Sequence, residues 1–247
     1  MQLTINKNLP IPIYYQIEEG MKELIEQGSL KPGDLIPSER ELCEAYGISR
    51  MTVRQAVNNL VNDGYLVRQQ GRGTFVSKGK MEQGLRGVTS FSEDMRARGM
   101  VPSTKLLHFG LIRAKKPLAE KLGLSEEAPI YEVKRVRLAD GIPMAYEISY
   151  LSASLLPGFS AEAAEGSIYE YVENILQLKI GNAHQVLEAS LARGSECEIL
   201  ELEQGAPVLL IQRKTYLTDG VPLEIVKSVY PGDRYKFVID MQRTEPR

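Results

Sequence analysis

Three groups of side chains in this 247-residue chain combine residue types with spacings that could do chemistry. Arg50, Arg54 and Asn58 recur one helical turn apart, with Thr52 and Gln55 beside them. Arginine forks match guanine edges and phosphate oxygens, and Gln or Asn matches adenine, so this group suits the reading of double-stranded DNA from a helix in the major groove. Gly71-Arg72-Gly73 is the second group. Its glycines let backbone approach DNA closely, and the arginine between them can enter the minor groove, where the negative potential is deepest. The third group lies far downstream. Arg135 and Arg137 stand one pleat apart on a strand-like run, roughly 7 Å, and later runs carry Glu147 with Ser149, and Glu224 with Ser228 and Tyr230, in alternation. Arginines at one end of a cavity take phosphate bidentately, and carboxylates at the other accept from sugar hydroxyls or an amine, so this group suits a phosphorylated, hydroxyl-rich small molecule. The same alternation also lets Arg135 and Arg137 simply pair with Glu147 or with surface acids across a hairpin.

The first two groups need elements that present them outward, and residues 37–76 read as such elements. Pro37-Ser38-Glu39-Arg40-Glu41 opens a helix with a capping box between Ser38 and Glu41, and Ala45-Tyr46-Gly47 closes it. Only Gly47 and Ile48 separate it from Ser49, an N-cap for the next helix, which is helix-turn-helix spacing. Val53, Ala56, Val57, Leu60 and Val61 make one buried stripe on that second helix, opposite the basic face. Asp63-Gly64 ends it. Tyr65–Gln69 and Thr74–Val76 read as strands around the glycine tip, a wing. A polar helix face alone is most often just solvated, and it is the wing that turns this one toward DNA. Charge agrees: from Ile48 to Lys80 six basic residues (Arg50, Arg54, Arg68, Arg72, Lys78, Lys80) face Asp63 alone, a local +5 in a chain of net −2, leaving −7 elsewhere.

The block PSERELCEAYGISRMTVRQAVNNLVNDGYLVRQQGRGTFV resembles the winged-helix domain of the GntR family of bacterial transcription regulators over nearly its whole length. The resemblance implies that Arg40, Ser49, Arg50, Arg54 and Gly71 touch DNA, that Thr52 lies near its backbone, and that Met51 and Gln70 tune sequence preference. With Ser38, Gln55, Arg72 and Gly73 these form the expected DNA-binding set.

The remaining composition is that of ordinary globular material, 43% hydrophobic and 25% charged, with room for one small and one medium domain. The longest clean apolar run, Ala206 to Ile211, is far short of the ~20 residues a membrane span needs, and Glu18, Glu19 and Glu23 break any leader pattern, so a cytoplasmic protein is expected. Cys43 and Cys197 fall in different expected domains and read as two reduced thiols. Tyr14, Ile17, Met21, Leu24 and Ile25 form a helical stripe ending at Gly28. The expected domains are 1–77, a winged helix-turn-helix; 78–89, a glycine-containing linker without periodicity; and 90–247, an effector-binding and dimerisation domain.

That last domain contains an echo. Leu118 to Ile130 recurs 78 positions on at Glu196 to Val208, Arg135 matches Arg213, and after one inserted residue Asp140-Gly141-Ile142-Pro143 matches Asp219-Gly220-Val221-Pro222. Each copy reads as helix, turn, strand, Asp-Gly hairpin and strand, which predicts an antiparallel sheet with helices on one side, an α/β (α+β) domain. Ser90-Phe91-Ser92-Glu93 and Ser167-Ile168-Tyr169-Glu170 each start a helix, offering N–H groups and hydroxyls to an anion or simply capping themselves. Val172, Ile175 and Leu176 are the expected stripe of the second.

Residues 87–247 resemble the UTRA effector domain of the HutC-type branch of GntR regulators, similar in fold to chorismate lyase. Within that branch the likeness, carried by MEQGLRGVTSFSEDMRARGM, RVRLADGIPMAYE, GSIY and SVYPGDRY, is to N-acetylglucosamine-utilisation repressors. It implies an effector of glucosamine-6-phosphate or N-acetylglucosamine-6-phosphate, with Arg135, Arg137, Ser167 and Tyr169 on the phosphate, Ser90, Phe91 and Ser92 at the adjoining helix start, and Glu147, Glu224 and Tyr230 facing the sugar. Related branches bind other metabolites, which is the alternative. No catalytic residues, metal ligands or cofactor are expected: His108 and His184 lack neighbours at ligand spacing, and neither a serine elbow nor a nucleotide loop occurs. A lyase-type activity on the same fold is the distant third reading. The expected partners are a pseudo-palindromic operator, a phosphorylated amino sugar and a second copy of the chain, without a membrane.

Overall fold

In the computed structural model, which describes residues 3–69, 71–77, 79–84 and 87–241, the chain divides into two units, Met1–Glu82 with Gly232–Lys236 and Gln83–Pro231 with Phe237–Arg247.

The first unit is built on caps. Helix α1 (Ile13–Glu26) buries Ile17 and Met21. Helix α2 (Glu39–Tyr46) starts at the capping box, where Glu41 N–H donates to Ser38 Oγ at 3.3 Å and Ser38 N–H to the Glu41 carboxylate at 2.8 Å. It ends at Gly47, whose φ of 60° is the left-handed conformation a glycine takes most readily. Ser49 caps α3 (Arg50–Asn62), which buries Val53, Ala56, Val57 and Leu60 against α1 and α2, with Val61 partly covered. Strands β1 (Leu66–Gln69) and β2 (Gly73–Val76) form the wing, Leu66 opposite Val76 and Gln69 opposite Gly73. Removing the α2 cap by Ser38→Ala should lower the unfolding free energy of this unit by about 0.5–2 kcal/mol. Denaturant unfolding followed by circular dichroism measures it; an unchanged midpoint would show that the capping box contributes nothing.

The stretch 78–89, expected to be irregular, contains strand β3 (Met81–Gly84), which pairs with the last strand of the chain. Met81 N–H donates to Arg234 O at 2.7 Å, and Lys236 meets Glu82 at 2.7 Å. A short polar strand with a partner 153 positions away, Met81 to Arg234, leaves no local periodicity to read.

The second unit is one six-stranded antiparallel sheet made of two copies of a motif. After helix α4 (Phe91–Ala97), the first copy runs β4 (Pro102–Arg113), α5 (Lys116–Leu122), β5 (Pro129–Ala139) and β6 (Ile142–Ser152). Helices α6 (Ala161–Glu165) and α7 (Ile168–Glu170), the latter continuing as a π-helical turn over Tyr171–Ile175, lead to the second copy. That copy runs β7 (Ile180–Leu191), α8 (Gly194–Leu200), β8 (Pro207–Leu217) and β9 (Pro222–Pro231), and β10 (Tyr235–Val238) closes the chain. The strand order β4-β5-β6-β9-β8-β7 places the two copies back to back across the β6–β9 pairing. The 78-residue offset therefore includes an outer strand in each copy, β4 and β7, beyond the segments the echo marked. Asp140 and Gly141, with φ of 50° and 79°, make the two-residue turn of the first hairpin. The inserted residue makes the second turn longer, and there Asp219 accepts from Val221 N–H at 3.0 Å.

Helices cover both faces of this sheet, not one. Val133, Leu151, Leu217 and Leu223 pack under Ala164, Ile168 and Val172. On the reverse face Val136, Val208 and Val229 meet Cys197 and Leu200 of α8, and Ile130 meets Ala119 and Leu122 of α5. The sign of this lies in β5 itself, which has apolar residues at both parities, as strands buried on both faces do. Ile175 is also not on the buried stripe: it is 67% exposed, while Leu176 packs inward. The wider π-helical turn delays the return to the buried side by one residue.

Candidate DNA-reading head and effector cavity

The reading head presents Arg40, Arg50, Arg54 and Gln55 as exposed side chains, and Met51 is 74% exposed. Arg40 lies 3.7 Å from Glu44 and Arg50 4.0 Å from Glu39, weak contacts that DNA phosphates can replace. Arg68 donates to Glu39 at 3.0 Å, tying the wing to the first turn of α2. Thr52 is half-buried, its hydroxyl 2.8 Å from Ser49 Oγ, so both hydroxyls are committed to the cap at the start of α3. Asn58 is half-buried behind the two arginines rather than exposed beside them. At the wing tip Gly71 and Gly73 have φ of 72° and 119°, and Arg72 rests over the Phe75 ring at 6.0 Å. Gly73 is doubly constrained, since a Cβ there would come 2.7 Å from Leu35 Cδ1. Gln70 lies outside the described residues.

The second unit gathers the third group around one cavity. The space, about 690 Å³ including its open mouth, is lined by Ser90, Phe91, Arg135, Arg137, Glu147, Ser167, Tyr169, Glu224 and Tyr230 among others. Strand register explains the convergence: Arg135 stands opposite Glu147 on β6, Glu147 opposite Ser228 on β9, and Glu224 opposite Thr215 on β8. Although the carboxylates come from matching strands of the two copies, they hold different positions. Val226 stands opposite Arg213 where Glu147 stands opposite Arg135.

At one end the arginines are fixed in place. Arg135 Nε donates to Glu147 at 3.1 Å, the cross-strand pair that alternation allowed, and its Nη1 donates to the carbonyls of Ala164 and Gly166 at 3.0 and 3.2 Å. Arg137 donates to Gly166 O at 3.3 Å and to Ser92 Oγ at 2.8 Å, and lies over the Phe91 ring at 4.9 Å. Ser92 does not line the cavity; it braces Arg137 from behind, at 4% exposure. Ser90 and Ser167 cap α4 and α7, accepting from Glu93 N–H at 3.2 Å and Glu170 N–H at 3.3 Å. Arg96 in the last turn of α4 pairs with Glu170 at the end of α7, tying the two helices together.

The other end is a hydroxyl-carboxylate cluster. Tyr169 and Thr215 donate to Glu224 Oε1 at 3.0 and 3.1 Å. The Tyr169 hydroxyl therefore sits with the Glu224 carboxylate. Burial, then the charge of Glu224, raises Tyr169; burial, then Glu147, raises Tyr230, so both phenols remain neutral donors. Burial pushes Glu224 up despite those hydroxyls and nearby Arg213.

A carboxyl raised in the folded state binds its proton more tightly there than in the unfolded chain, so its contribution to stability is complete below the ordinary Glu value of 4.5 and is lost as pH climbs through the raised value. Glu224→Gln should flatten that part of the stability profile. Thermal unfolding at about pH 5 and about pH 8 would show it, a smaller difference for the variant than for the parent; equal differences would contradict it.

Several cavity residues carried no expected role, among them Asp94, Phe237 and Arg213. Arg213, matched to Arg135 by the repeat, reaches the cavity from β8, its Nε donating to Gln185 at 2.7 Å and its Nη1 to Thr89 O at 3.1 Å. The signal was in the echo, but only cross-strand register shows that it shares a face with Glu224.

A winged helix-turn-helix followed by a two-copy sheet with a cavity defines a DNA-binding transcription regulator with a second, cavity-bearing domain. Family models place it: that for "Bacterial regulatory proteins, gntR family" matches residues 13–76 and that for the UTRA domain matches residues 97–236. The chain belongs to the GntR family, in its HutC-type, UTRA-containing branch. It is 51% identical over 241 residues to the HTH-type transcriptional repressor NagR of Bacillus subtilis, covering 98% of this chain and 99% of that one. It is 32% identical over 236 residues to the mannosyl-D-glycerate transport/metabolism system repressor MngR of Escherichia coli, covering 96% and 98%. The crystal structure of PhnF from Mycobacterium smegmatis matches with a TM-score of 0.64 at 30% identity, over 91% of this chain and 99% of that one. These relatives are regulators, and this protein is one too, not an enzyme. Among the described residues no helix is long and apolar enough to cross a membrane, and no cluster of His, Cys, Asp and Glu could hold a metal ion.

Proposed function

We propose that this protein is a repressor of amino-sugar uptake and utilisation genes, released from its operator by glucosamine-6-phosphate or N-acetylglucosamine-6-phosphate. The observation that carries this reading is the cavity's polarity, with Arg135, paired to Glu147, and Arg137 braced at one end and Glu224 with the Tyr169 and Thr215 hydroxyls at the other. A phosphate on the arginines leaves the sugar's hydroxyls facing the carboxylate and hydroxyl cluster around Glu224. Identity with a named repressor over nearly the whole chain supports the sign of the response.

In this mechanism two chains present their heads to a pseudo-palindrome, and ligand favours an arrangement in which the heads no longer match the half-sites, acting through residues 78–89. A ligand can do so only by binding that arrangement more tightly than the DNA-bound one. The experiment is a gel shift on a palindromic operator selected from random DNA, with glucosamine-6-phosphate, N-acetylglucosamine-6-phosphate, glucose-6-phosphate and the unphosphorylated sugars. Release by the two amino-sugar phosphates alone is expected. Binding that ignores the whole panel removes the reading, and equal release by glucose-6-phosphate reduces the site to a general sugar-phosphate sensor.

A further inference from the structure

The two copies of the motif differ most beside Arg213. Its equivalent, Arg135, has a cross-strand carboxylate in Glu147; Arg213 faces Val226 instead, and the amide of Gln185 and the carbonyl of Thr89 orient it. Each outer strand carries one β-bulge, but at different places: β4 slips between Leu106 and His108, β7 between Ile180 and Ala183. The β7 bulge depends on Gly181, where a Cβ would come 2.9 Å from Leu217 O and 3.0 Å from Thr218 Cα. Bulges beside binding sites re-aim side chains and open the edge of a sheet. Here the opening is a second cavity, about 790 Å³ with its mouth, lined by Gln83, Gly84, Gly87, Val88, Gly181, Asn182, Ala183, Gln185 and Arg213. Gln83 and Arg213 line both cavities.

We propose that Arg213, with Gln83, Asn182 and Gln185, forms a second subsite that takes the N-acyl group of the effector, so that the protein prefers an acylated amino-sugar phosphate to the free amine and accepts acyl groups longer than acetyl. The inference rests on the amino-sugar reading above. Its geometry follows from the sheet. Strands β5 and β8 are three inter-strand steps apart, about 14 Å, so Arg213 approaches from the side opposite the phosphate-binding pair. In a 2-amino-hexose 6-phosphate the carbon bearing the nitrogen lies across the ring from the carbon bearing the phosphate arm, so a phosphate held by Arg135 and Arg137 sends the nitrogen substituent toward Arg213.

The chemistry of the subsite then selects. An acyl carbonyl accepts from a guanidinium, whereas a protonated amine beside Arg213 meets a like charge. Burial opposes the charge of Arg213, but Tyr169, Tyr230 and Glu224 outweigh it. Of the carboxylates lining the first cavity, Glu224 already accepts two hydroxyls on Oε1, Glu147 pairs with Arg135 and Asp94 accepts from Gln83. The neutral amides of Gln83, Asn182 and Gln185 suit an amide, and the glycine and alanine walls leave room for further methylenes.

Calorimetry of the full chain with glucosamine-6-phosphate, its N-acetyl and its N-butanoyl derivatives tests this. The parent should bind both acylated ligands at least tenfold more tightly than the amine. Arg213→Gln should abolish that preference, weakening acylated ligands at least tenfold while changing the amine little. Ala183→Leu, which fills the second cavity, should weaken the butanoyl ligand at least tenfold more than the acetyl one. Equal loss of all three ligands in Arg213→Gln would make Arg213 a merely structural residue and overturn the proposal, as would failure of the parent to bind the butanoyl ligand. If the parent binds none of the three, the amino-sugar reading falls and takes this one with it. If it binds acetylated and free forms alike and Arg213→Gln changes neither, only the subsite is wrong.

Discussion

Arg54→Ala will abolish operator recognition and leave effector binding and stability unchanged. Arg54 is an exposed residue of α3 on the face opposite Val53, Ala56, Val57 and Leu60, so its removal opens no cavity and should move stability by less than about 0.5 kcal/mol. Its loss at DNA is of another size. One arginine on a base edge is worth about 1–3 kcal/mol, and a dimer on a palindrome loses it twice, roughly 30-fold to 10⁴-fold in affinity. Fluorescence anisotropy with labelled operator measures this directly. A loss that is uniform across unrelated DNA sequences would make Arg54 a phosphate contact instead of a base reader. Loss of effector binding in the same variant would mean that the two units had been assigned the wrong tasks.

Arg137→Ala is the converse experiment. Arg137 holds Gly166 O and Ser92 Oγ and stacks on Phe91, whereas it is Arg135 that pairs with the buried Glu147. Truncating it should weaken sugar-phosphate binding by at least about 2 kcal/mol, roughly 30-fold or more, while operator affinity without ligand stays the same. Arg135→Ala should differ. The side chains of Arg135 and Glu147 are only 8% and 9% exposed, so removing the arginine strands a carboxylate inside the sheet, a loss of about 3–5 kcal/mol of stability. The pair of variants therefore separates the two roles by size: both lose ligand, and Arg135→Ala, which strands Glu147, loses more of its thermal midpoint than Arg137→Ala. Normal ligand affinity in Arg137→Ala would place the phosphate elsewhere.

What could be read in advance follows the range of the forces involved. The reading head is written in local chemistry: Ser38, Gly47 and Ser49 act within a turn of themselves, and the stripe from Val53 to Leu60 is periodic, so sequence alone delimits α2, the turn, α3 and the wing. The repeat was legible because α5 and α8, and β5 and β8, keep the same 78-residue offset in the structure. Long-range pairing was not legible. Nothing near Met81 announces a partner at Arg234, and no period reveals that Ile130 and Val136 lie under helices on the face opposite Val133. Ile175 departs from its stripe because a π-helical turn changes the period for five residues. Of the ten side chains expected at the cavity, alternation placed Arg135, Arg137, Glu147, Glu224 and Tyr230 and the family resemblance the rest, and nine line it. Arg213 was seen as an echo of Arg135 without a role, since its place at the site depends on which strands of the two copies meet.

The central claim is that a phosphorylated amino sugar in the second unit controls DNA held by the first. Titrating N-acetylglucosamine-6-phosphate into the complex of the full chain with labelled operator, in parallel for the parent and Arg137→Ala, tests it most directly. The account predicts release of DNA from the parent at ligand concentrations that leave the equally well bound variant in place. Parent complexes that no amino-sugar phosphate dissociates, or a variant that releases at the parent's concentration, would contradict it.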